Sequence, residues 1–368
     1  MADFEIYLVT TPGLEQALAA EARAQGFAAI KALPGGVRVR GRWPEVWRAN
    51  LMLRGATKVL ARVGSFRAVH LAQLDKRARD FPWAEYLRRE VPVAVEAACT
   101  RSKIYHSGAA AERIARAIHE ELGAVIADDA PVVVKARIAD DLCTISLDTS
   151  GGLLHKRGAK AAVAKAPLRE TLAALLLRQC GYDGSEPVYD PMCGSGTFVI
   201  EAAEMALGLA PGRARHFAFE QLATFDAAAW AALKEAAPRR ATELRVFGSD
   251  RDAGAVDMAR ANAGRAGVGA GTEFHRASIS EIVRPEGPAG LVMVNPPYGA
   301  RIGDKTKLVA LYAALGQVLR ERFSGWRVGL ITTEAPLARA TGLSFLPPSA
   351  PISHGGLKVR LYQTGALA

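Results

Sequence analysis

The chain changes its hydrophobic period several times in its first fifty residues. "FEIYLVT" (4–10) reads as a strand. "PGLEQALAAEARAQG" (12–26) shifts to helical spacing, with Pro near its start and Gly at its end. "GGVRVRG" (35–41) has period-two alternation, and "WPEVWRANLML" (43–53) returns to a helix. The mixture continues through residue 157. "VPVAVEAAC" (91–99) predicts a strand, and "AAERIARAIHEELG" (110–123) places Ile114, Ile118 and Leu122 on one helical stripe ending at Gly123. "PVVVKARIADDLCTISLDTSG" (131–151) predicts two strands about a turn at Asp140 and Asp141.

A β-α-β-α unit as small as the first one suggests a ferredoxin-like module. "GGLLHKRGAKAAVAKAP" (151–167) is rich in Gly, Ala and Lys without clear period, and predicts a linker or hinge. "PLRETLAALLLRQCG" (167–181) predicts a helix from Pro to Gly. Beyond it strand and helix patterns alternate, through "PVYD", "TFVIEAAEMAL", "LRVFGSD", "AGAVDMARANAGRAG", "GLVMVN", "LVALYAALGQVLRERF" and "WRVGLITT". Such alternation predicts a parallel sheet with helices on both faces. The last stretch, "GLKVRLYQTG" (356–365), predicts an antiparallel strand at an edge.

Composition narrows the function classes. The 368 residues exceed one core of usual size, so two or three domains are expected. No apolar run approaches the length of a membrane-spanning helix. The start, "MADFEIYLVTTPG", lacks a basic leader pattern, so a cytoplasmic protein without a membrane partner is expected. Cys99, Cys143, Cys180 and Cys193 are far apart and form no C-x-x-C pair, which speaks against a zinc site or a disulfide framework. The formal net charge is +10, divided between the segments before and after residue 157 rather than gathered in a tail. A basic surface suits a polyanion such as RNA; an arginine-rich composition without such a partner is the alternative.

Three stretches carry candidate chemistry. In "DPMCGSGTFVIEAA" (190–203) a strand runs into a turn with Gly194 and Gly196, and a helix begins near Thr197. Glycines there let a ligand approach the backbone and the helix N–H groups. The dinucleotide pattern fails at Val199, and the phosphate-loop ending Gly-Lys-Ser/Thr is absent. Asp190 at the strand end would repel a pyrophosphate but attract a cation. S-adenosylmethionine, with its sulfonium and amino group, fits that demand; a purely structural turn fits it too. In "FGSDRD" (247–252), Asp250 could accept both hydroxyls of a ribose or could cap the next helix. In "NPPYG" (295–299), Asn295 precedes a proline and is held extended. Its side-chain oxygen and the Pro296 carbonyl can accept two hydrogen bonds from a base amine, while Tyr298 offers a ring for stacking. No metal ligand set and no strong base is needed for methyl transfer to such an amine. Each element alone is ambiguous, but their order after successive strands of one domain favours the functional reading.

With these residues in view, the sequence resembles class I S-adenosylmethionine-dependent amino-methyltransferases that carry an N-terminal THUMP domain. "DPMCGSGT", "GSDRD" and "NPPYGARIG" carry the likeness, together with "TRSKIYHSGAAAERIARAI" (100–118), "LDTSGGLLHKRG" (147–158) and "APLRETLAALLL" (166–177). The resemblance implies an α/β fold: a Rossmann-like seven-stranded methyltransferase domain at 158–368, preceded by a ferredoxin-like module at 1–55 and a THUMP RNA-binding domain at 56–157. It implies S-adenosylmethionine held by Asp190, Pro191, Gly194, Gly196, Thr197, Asp250, Ser278 and Asn295. The target base would be held by Asn295, Pro296, Pro297 and Tyr298. Family members often have an acid near Ser278 to read adenine; here "EFHRASISEI" (273–282) offers a serine. The implied activity is methylation of the guanine N2 amine in large-subunit ribosomal RNA, with transfer RNA as the alternative. Arg101, Lys103 and His106 are the expected RNA contacts, with stacking from Tyr105 or His106. Lys156 and Arg157, beside His155 at the hinge, are further candidates. Cys193 has no base partner nearby and is read as packing. DNA adenine or a protein glutamine would suit the same amine chemistry, and an RNA-binding assembly factor with a vestigial pocket is the non-enzymatic alternative.

Overall fold

The structure is a computed structural model, and it describes residues 3–158, 168–299 and 305–368. Residues 159–167 of the expected linker, and 300–303 at the end of "NPPYGARIG", lie outside the described residues. The chain forms two compact units, one of residues 1–10, 22–154 and 212–237, the other of 11–21, 155–211 and 238–368.

The N-terminal elements are β1 (Phe4–Val9), α1 (Glu15–Ala24), β2 (Ala28–Leu33), β3 (Gly36–Gly41), α2 (Trp43–Met52), β4 (Lys58–Arg67), α3 (Leu71–Arg79), β5 (Val93–Thr100), α4 (Ser107–Leu122), β6 (Val132–Ala139) and β7 (Leu142–Asp148). The seven strands make one sheet in the order β2-β3-β1-β4-β7-β6-β5. The sequence shows two successive modules here, but β4 pairs with both β1 and β7, so a continuous ladder joins them. Only β5 and β6 run parallel, joined by α4 as the crossover. Alternation aims Ile6, Leu8, Val37, Val39, Val59 and Ala61 into the core. β2 was not apparent in the sequence: its burial pattern is mostly exposed, and its pairing with β3 is interrupted between Ala28 and Lys31. Asp140 and Asp141 both adopt positive φ, the backbone of the tight β6–β7 turn expected there.

The C-terminal elements are α5 (Glu170–Gln179), β8 (Val188–Asp190), α6 (Thr197–Ala206), α7 (Ala227–Glu235), β9 (Val246–Asp250), α8 (Ala253–Ala266), β10 (Thr272–Arg276), β11 (Leu291–Val294), α9 (Lys305–Arg322), β12 (Arg327–Thr332), α10 (Ala335–Ala340), β13 (Ile352–His354) and β14 (Leu357–Gln363). Their strands form a second seven-stranded sheet, ordered β10-β9-β8-β11-β12-β14-β13. β10, β9, β8, β11 and β12 are parallel. β14 is antiparallel as expected, but it is not the edge: the three-residue β13, too short to leave a periodic signal, pairs outside it.

One face of this sheet is covered by α9. Tyr312, Leu315, Leu319 and Phe323 pack with Val292, Val294 and Leu330, and the Phe323 ring stacks on Tyr189 at 5.5 Å. Each such buried side chain contributes about 1.5–3 kcal/mol relative to exposure. The opposite face carries α6, which follows β8 directly. Because β9 flanks β8 on one side and β11 on the other, the order reverses at β8, and that reversal opens a crevice at the C-terminal strand ends.

One segment departs from the expected boundary. Residues 212–237, inside the stretch expected to be wholly methyltransferase, belong to the N-terminal unit. Aromatic packing decides this: Trp47 of α2 meets Phe219 at 6.1 Å and Phe225 at 6.0 Å, and Trp230 of α7 meets Phe219 edge-on at 5.0 Å. Asp226 caps α7 by accepting from the Ala229 N–H at 3.0 Å.

Candidate functional site

Parallel pairing sets Tyr189 beside Val292, so Asp190 and Asn295 leave neighbouring strands at the same end of the sheet. The crevice there is the expected place for a ligand.

After β8 the chain turns through Pro191, Met192 and Cys193 into α6. Gly194 has φ +52°, with no atom within 4 Å of where a Cβ would sit; Gly196 has φ +84° and forms the N-cap of α6. Both conformations favour glycine. A Cβ at Gly196 would meet the Ala259 Cβ at 3.0 Å, so this glycine also lets α8 approach. The Gly194 N–H donates to Asp250 Oδ2 at 3.0 Å, and the Cys193 N–H to the Ser249 carbonyl at 2.9 Å. From behind, Asn262 Nδ2 donates to the Ser195 carbonyl at 3.0 Å. The turn is thus fixed to β9 and α8 with an open cradle on its other side.

Asp190 is only 3% exposed and accepts the Met192 N–H at 3.0 Å. Burial, with the Asp250 charge nearby, pushes its carboxyl up to about 8. Asp250 accepts the Asp252 N–H on its other oxygen at 3.0 Å. Asp252, not Asp250, caps α8, accepting from Gly254 at 2.8 Å. The helix cap thus falls to Asp252, and Asp250 fastens the glycine turn. Two carboxylates around an open, glycine-lined cradle suit a ligand with an amino group, a sulfonium and ribose hydroxyls, so the residues present fit S-adenosylmethionine.

The other candidates divide. Pro191 lies in the turn, its carbonyl accepting from Ser249 Oγ at 3.5 Å. Thr197 is buried, and its hydroxyl reaches the Leu168 carbonyl at 3.5 Å, so only its place at the head of α6 faces the cradle. Ser278 donates from its hydroxyl to Glu281 Oε2 at 2.6 Å. An acid therefore does stand at this corner, three residues later than the one sought in the sequence, brought in by a short 3-10 turn (Ile279–Glu281). Burial and the charges of Asp190 and Asp250 raise the Cys193 thiol well above its usual range, so it stays an uncharged packing group.

After β11, Asn295 is half-buried, and its Oδ1 is buried without a hydrogen-bond partner among the described residues. Pro296 is buried and Pro297 exposed. Tyr298 rests against the core cluster under α9, where burial pushes its phenol to about 12 and keeps it neutral. The residue as a whole is half-buried.

In the N-terminal unit, Arg101 adopts φ +46° and makes a two-pronged ion pair with Asp140, both contacts 2.9 Å. Lys103 is exposed, with its backbone N–H on Asp141 Oδ1 at 2.8 Å. Tyr105 is 84% exposed, an unusual setting for so large a ring. His106 is the N-cap of α4: its Nδ1 accepts from Ala109 at 3.0 Å while the residue stays exposed. Lys156 is exposed. Arg157 corrects the expectation placed on it: it is 8% exposed and ion-paired with Glu201 at 3.3 Å, so it cannot reach a polyanion at the surface.

A family described as "RMKL-like, methyltransferase domain" matches residues 157–346, and one described as "RlmL ferredoxin-like domain" matches residues 5–60. "Ribosomal RNA large subunit methyltransferase K/L" of Psychromonas ingrahamii is 34% identical over 352 residues, 92% of this chain and 47% of that protein. The chain therefore spans about half the length of that relative. The Synechocystis sp. protein slr0064, which carries the name of an RNA methyltransferase, is 31% identical over 95% of this chain and 93% of its own. The structure of SMU.472 complexed with SAH superposes with a TM-score of 0.88 at 26% identity, covering 100% of this chain and 99% of the other.

Proposed function

Because this chain belongs to the RMKL-like methyltransferase family, we propose that it methylates RNA, at the exocyclic N2 amine of a guanosine, with 23S ribosomal RNA as the target. The cofactor is S-adenosylmethionine, whose demethylated form, SAH, is bound in the related SMU.472 structure. When bound, it supplies an electrophilic methyl group.

The chain's own residues supply placement. Asp190 and Asp250 offer negative charge to the cofactor's cationic and hydroxyl groups. Asn295 Oδ1 and the Pro296 carbonyl accept the two N–H bonds of the base amine. A ring-conjugated amine is a weak nucleophile, and two acceptors hold its lone pair toward the methyl and offset the positive charge that develops. The N–C bond forms as the C–S bond breaks, and the amine then gives one proton to water. Alignment of this kind is worth up to about 7–11 kcal/mol. The half-buried Tyr298 offers its ring for stacking, about 1–3 kcal/mol per base.

The observation that carries the reading is the buried Asn295 Oδ1, unpartnered among the described residues. A buried acceptor without a donor costs about 1–3 kcal/mol. A site that supplies the donor from its substrate gives that cost a use.

RNA as the substrate, and residues 56–157 as its THUMP-type holder, rest on the two relatives named for RNA and on the exposed Lys103 and Tyr105. The test is transfer of a labelled methyl to total RNA, followed by mass mapping of the modified nucleotide. Label in guanine N2 of 23S RNA is the expected result. Label in transfer RNA would move the target, and label only in DNA or protein would overturn the RNA assignment.

A further inference from the structure

The segment Asn295-Pro296-Pro297 contains two prolines, and neither has an N–H. The loop that must aim an amide oxygen and a carbonyl at a substrate amine therefore has few backbone donors with which to fix itself. One donor comes from α9. Tyr312 is 0% exposed, and its Oη donates to the Pro297 carbonyl at 3.3 Å. The Thr332 side chain, at the end of β12, acts on the same hydroxyl and lowers the phenol's proton affinity against the effect of burial. Thr332, also 0% exposed, has its oxygen engaged by the Glu334 N–H at 3.3 Å. A Thr332 hydroxyl hydrogen directed at Tyr312 would leave the Tyr312 hydrogen for the loop.

We propose that Tyr312, oriented by Thr332, is the positioning residue of the methyl-acceptor loop, holding the Pro297 peptide so that Asn295 Oδ1 and the Pro296 carbonyl face one amine. The inference rests on the reading of "NPPY" as the acceptor loop. Burial raises the Tyr312 phenol well above its usual range, so it stays a neutral donor at any working pH. Apart from its oxygen, Tyr312 is part of the core under the loop, packed with Leu308, Leu315 and Val294. Phenylalanine keeps that packing and removes only the donor.

Tyr312→Phe is expected to lower kcat for methyl transfer about tenfold, as a loop displaced by a fraction of an ångström would. KM for RNA and Kd for SAH should stay unchanged. Thr332→Val should give a smaller loss, and the double variant should be no worse than Tyr312→Phe alone, because the two hydroxyls act in series. In cofactor-free protein, the amides of Asn295, Tyr298 and Gly299 should exchange hydrogen faster in Tyr312→Phe than in wild type. Unchanged exchange with wild-type kcat would overturn the proposal. So would a fall in kcat accompanied by equal losses of SAH binding and thermal stability, which would mark a general loosening. Wild-type transfer to DNA or protein instead of RNA would sink the substrate assignment alone, and the kcat comparison would then be read on that acceptor.

Discussion

After β8, backbone N–H groups are plentiful and side-chain carboxylates collect them: Met192 donates to Asp190, and Gly194 and Asp252 donate to Asp250. After β11 the balance is reversed. Two prolines remove the donors, one acceptor is left buried and unpartnered, and a tyrosine reaches in from α9 to hold a carbonyl. The glycine turn is thus an anionic cradle whose shape its own backbone maintains, suited to a cationic cofactor. The proline loop is a surplus of acceptors, suited to a neutral amine that brings its own hydrogens. In the proposed function, neighbouring strand ends of one sheet become complementary halves of a transfer reaction through the supply of N–H groups.

The sharpest way to break this contrast is Asn295→Ala. Methyl transfer should fall by about 10²–10³-fold, the usual effect of deleting one preorganised polar group that meets developing charge. SAH affinity by calorimetry should not change. The melting temperature should rise slightly, because an unsatisfied buried acceptor is gone. A loss of stability would contradict the idea that this oxygen is idle in the free protein.

Asp250→Asn attacks the other half. The Gly194 N–H keeps an acceptor but loses a charged one, so SAH binding should weaken about tenfold, in line with about 1.5–3 kcal/mol for hydrogen bonds to charged groups. The effect should appear as a changed Kd, the reverse of the Asn295 pattern.

A pH titration separates the halves further. The Asp190 carboxyl, with an ordinary value of 3.8, sits at about 8 in the fold, so the folded state favours its protonated form. Its contribution to stability is fully present below 3.8 and is lost as pH rises through about 8. A cationic ligand favours the ionised form, so cofactor affinity should increase with pH and level off above about 8. At neutral pH, calorimetry in buffers of different ionisation enthalpy should detect proton release on binding. Asp190→Asn should remove both the release and the slope.

The smallest effects test the turn's geometry. Gly196→Ala faces a left-handed φ and the Ala259 Cβ at 3.0 Å, whereas Gly194→Ala faces the φ alone. Denaturant unfolding should show a loss of about 1–2 kcal/mol for Gly196→Ala and less for Gly194→Ala. At Gly194 the added methyl would enter the open cradle, so its larger effect should be on SAH binding.

Much of this was readable before any coordinates. The alternation of strand and helix periods is local, and it marked most elements of both sheets. The site motifs were readable because they need special backbone: positive φ at Gly194 and Gly196, and a constrained, donor-poor run at Pro296 and Pro297. The ten-residue β4 and the helix α3 after it drew no reading from the sequence, and the other misses share one cause. β2 and β13 are short or exposed strands defined by their partners, and residues 212–237 follow an aromatic cluster on α2 rather than their neighbours in sequence. Arg157 looked like a free surface cation until Glu201 was found beside it. Tyr312 carried no mark beyond its place on the inward stripe of a helix.

The sequence by itself determined which residues could bend, stop or expose the chain, since backbone conformation is set by each residue and its immediate neighbours. It thereby determined the strand–turn–helix order, the glycine cradle and the proline loop. Only the tertiary structure decided which hydrogen-bonding groups meet: Asp250 with Gly194, Ser278 with Glu281, Tyr312 with Pro297. Those partners are 56, 3 and 15 residues apart, and even the near pair needs a turn to close it. Pairing depends on where the sheet brings strand ends together, and so does the buried Asn295 oxygen left without a partner among the described residues.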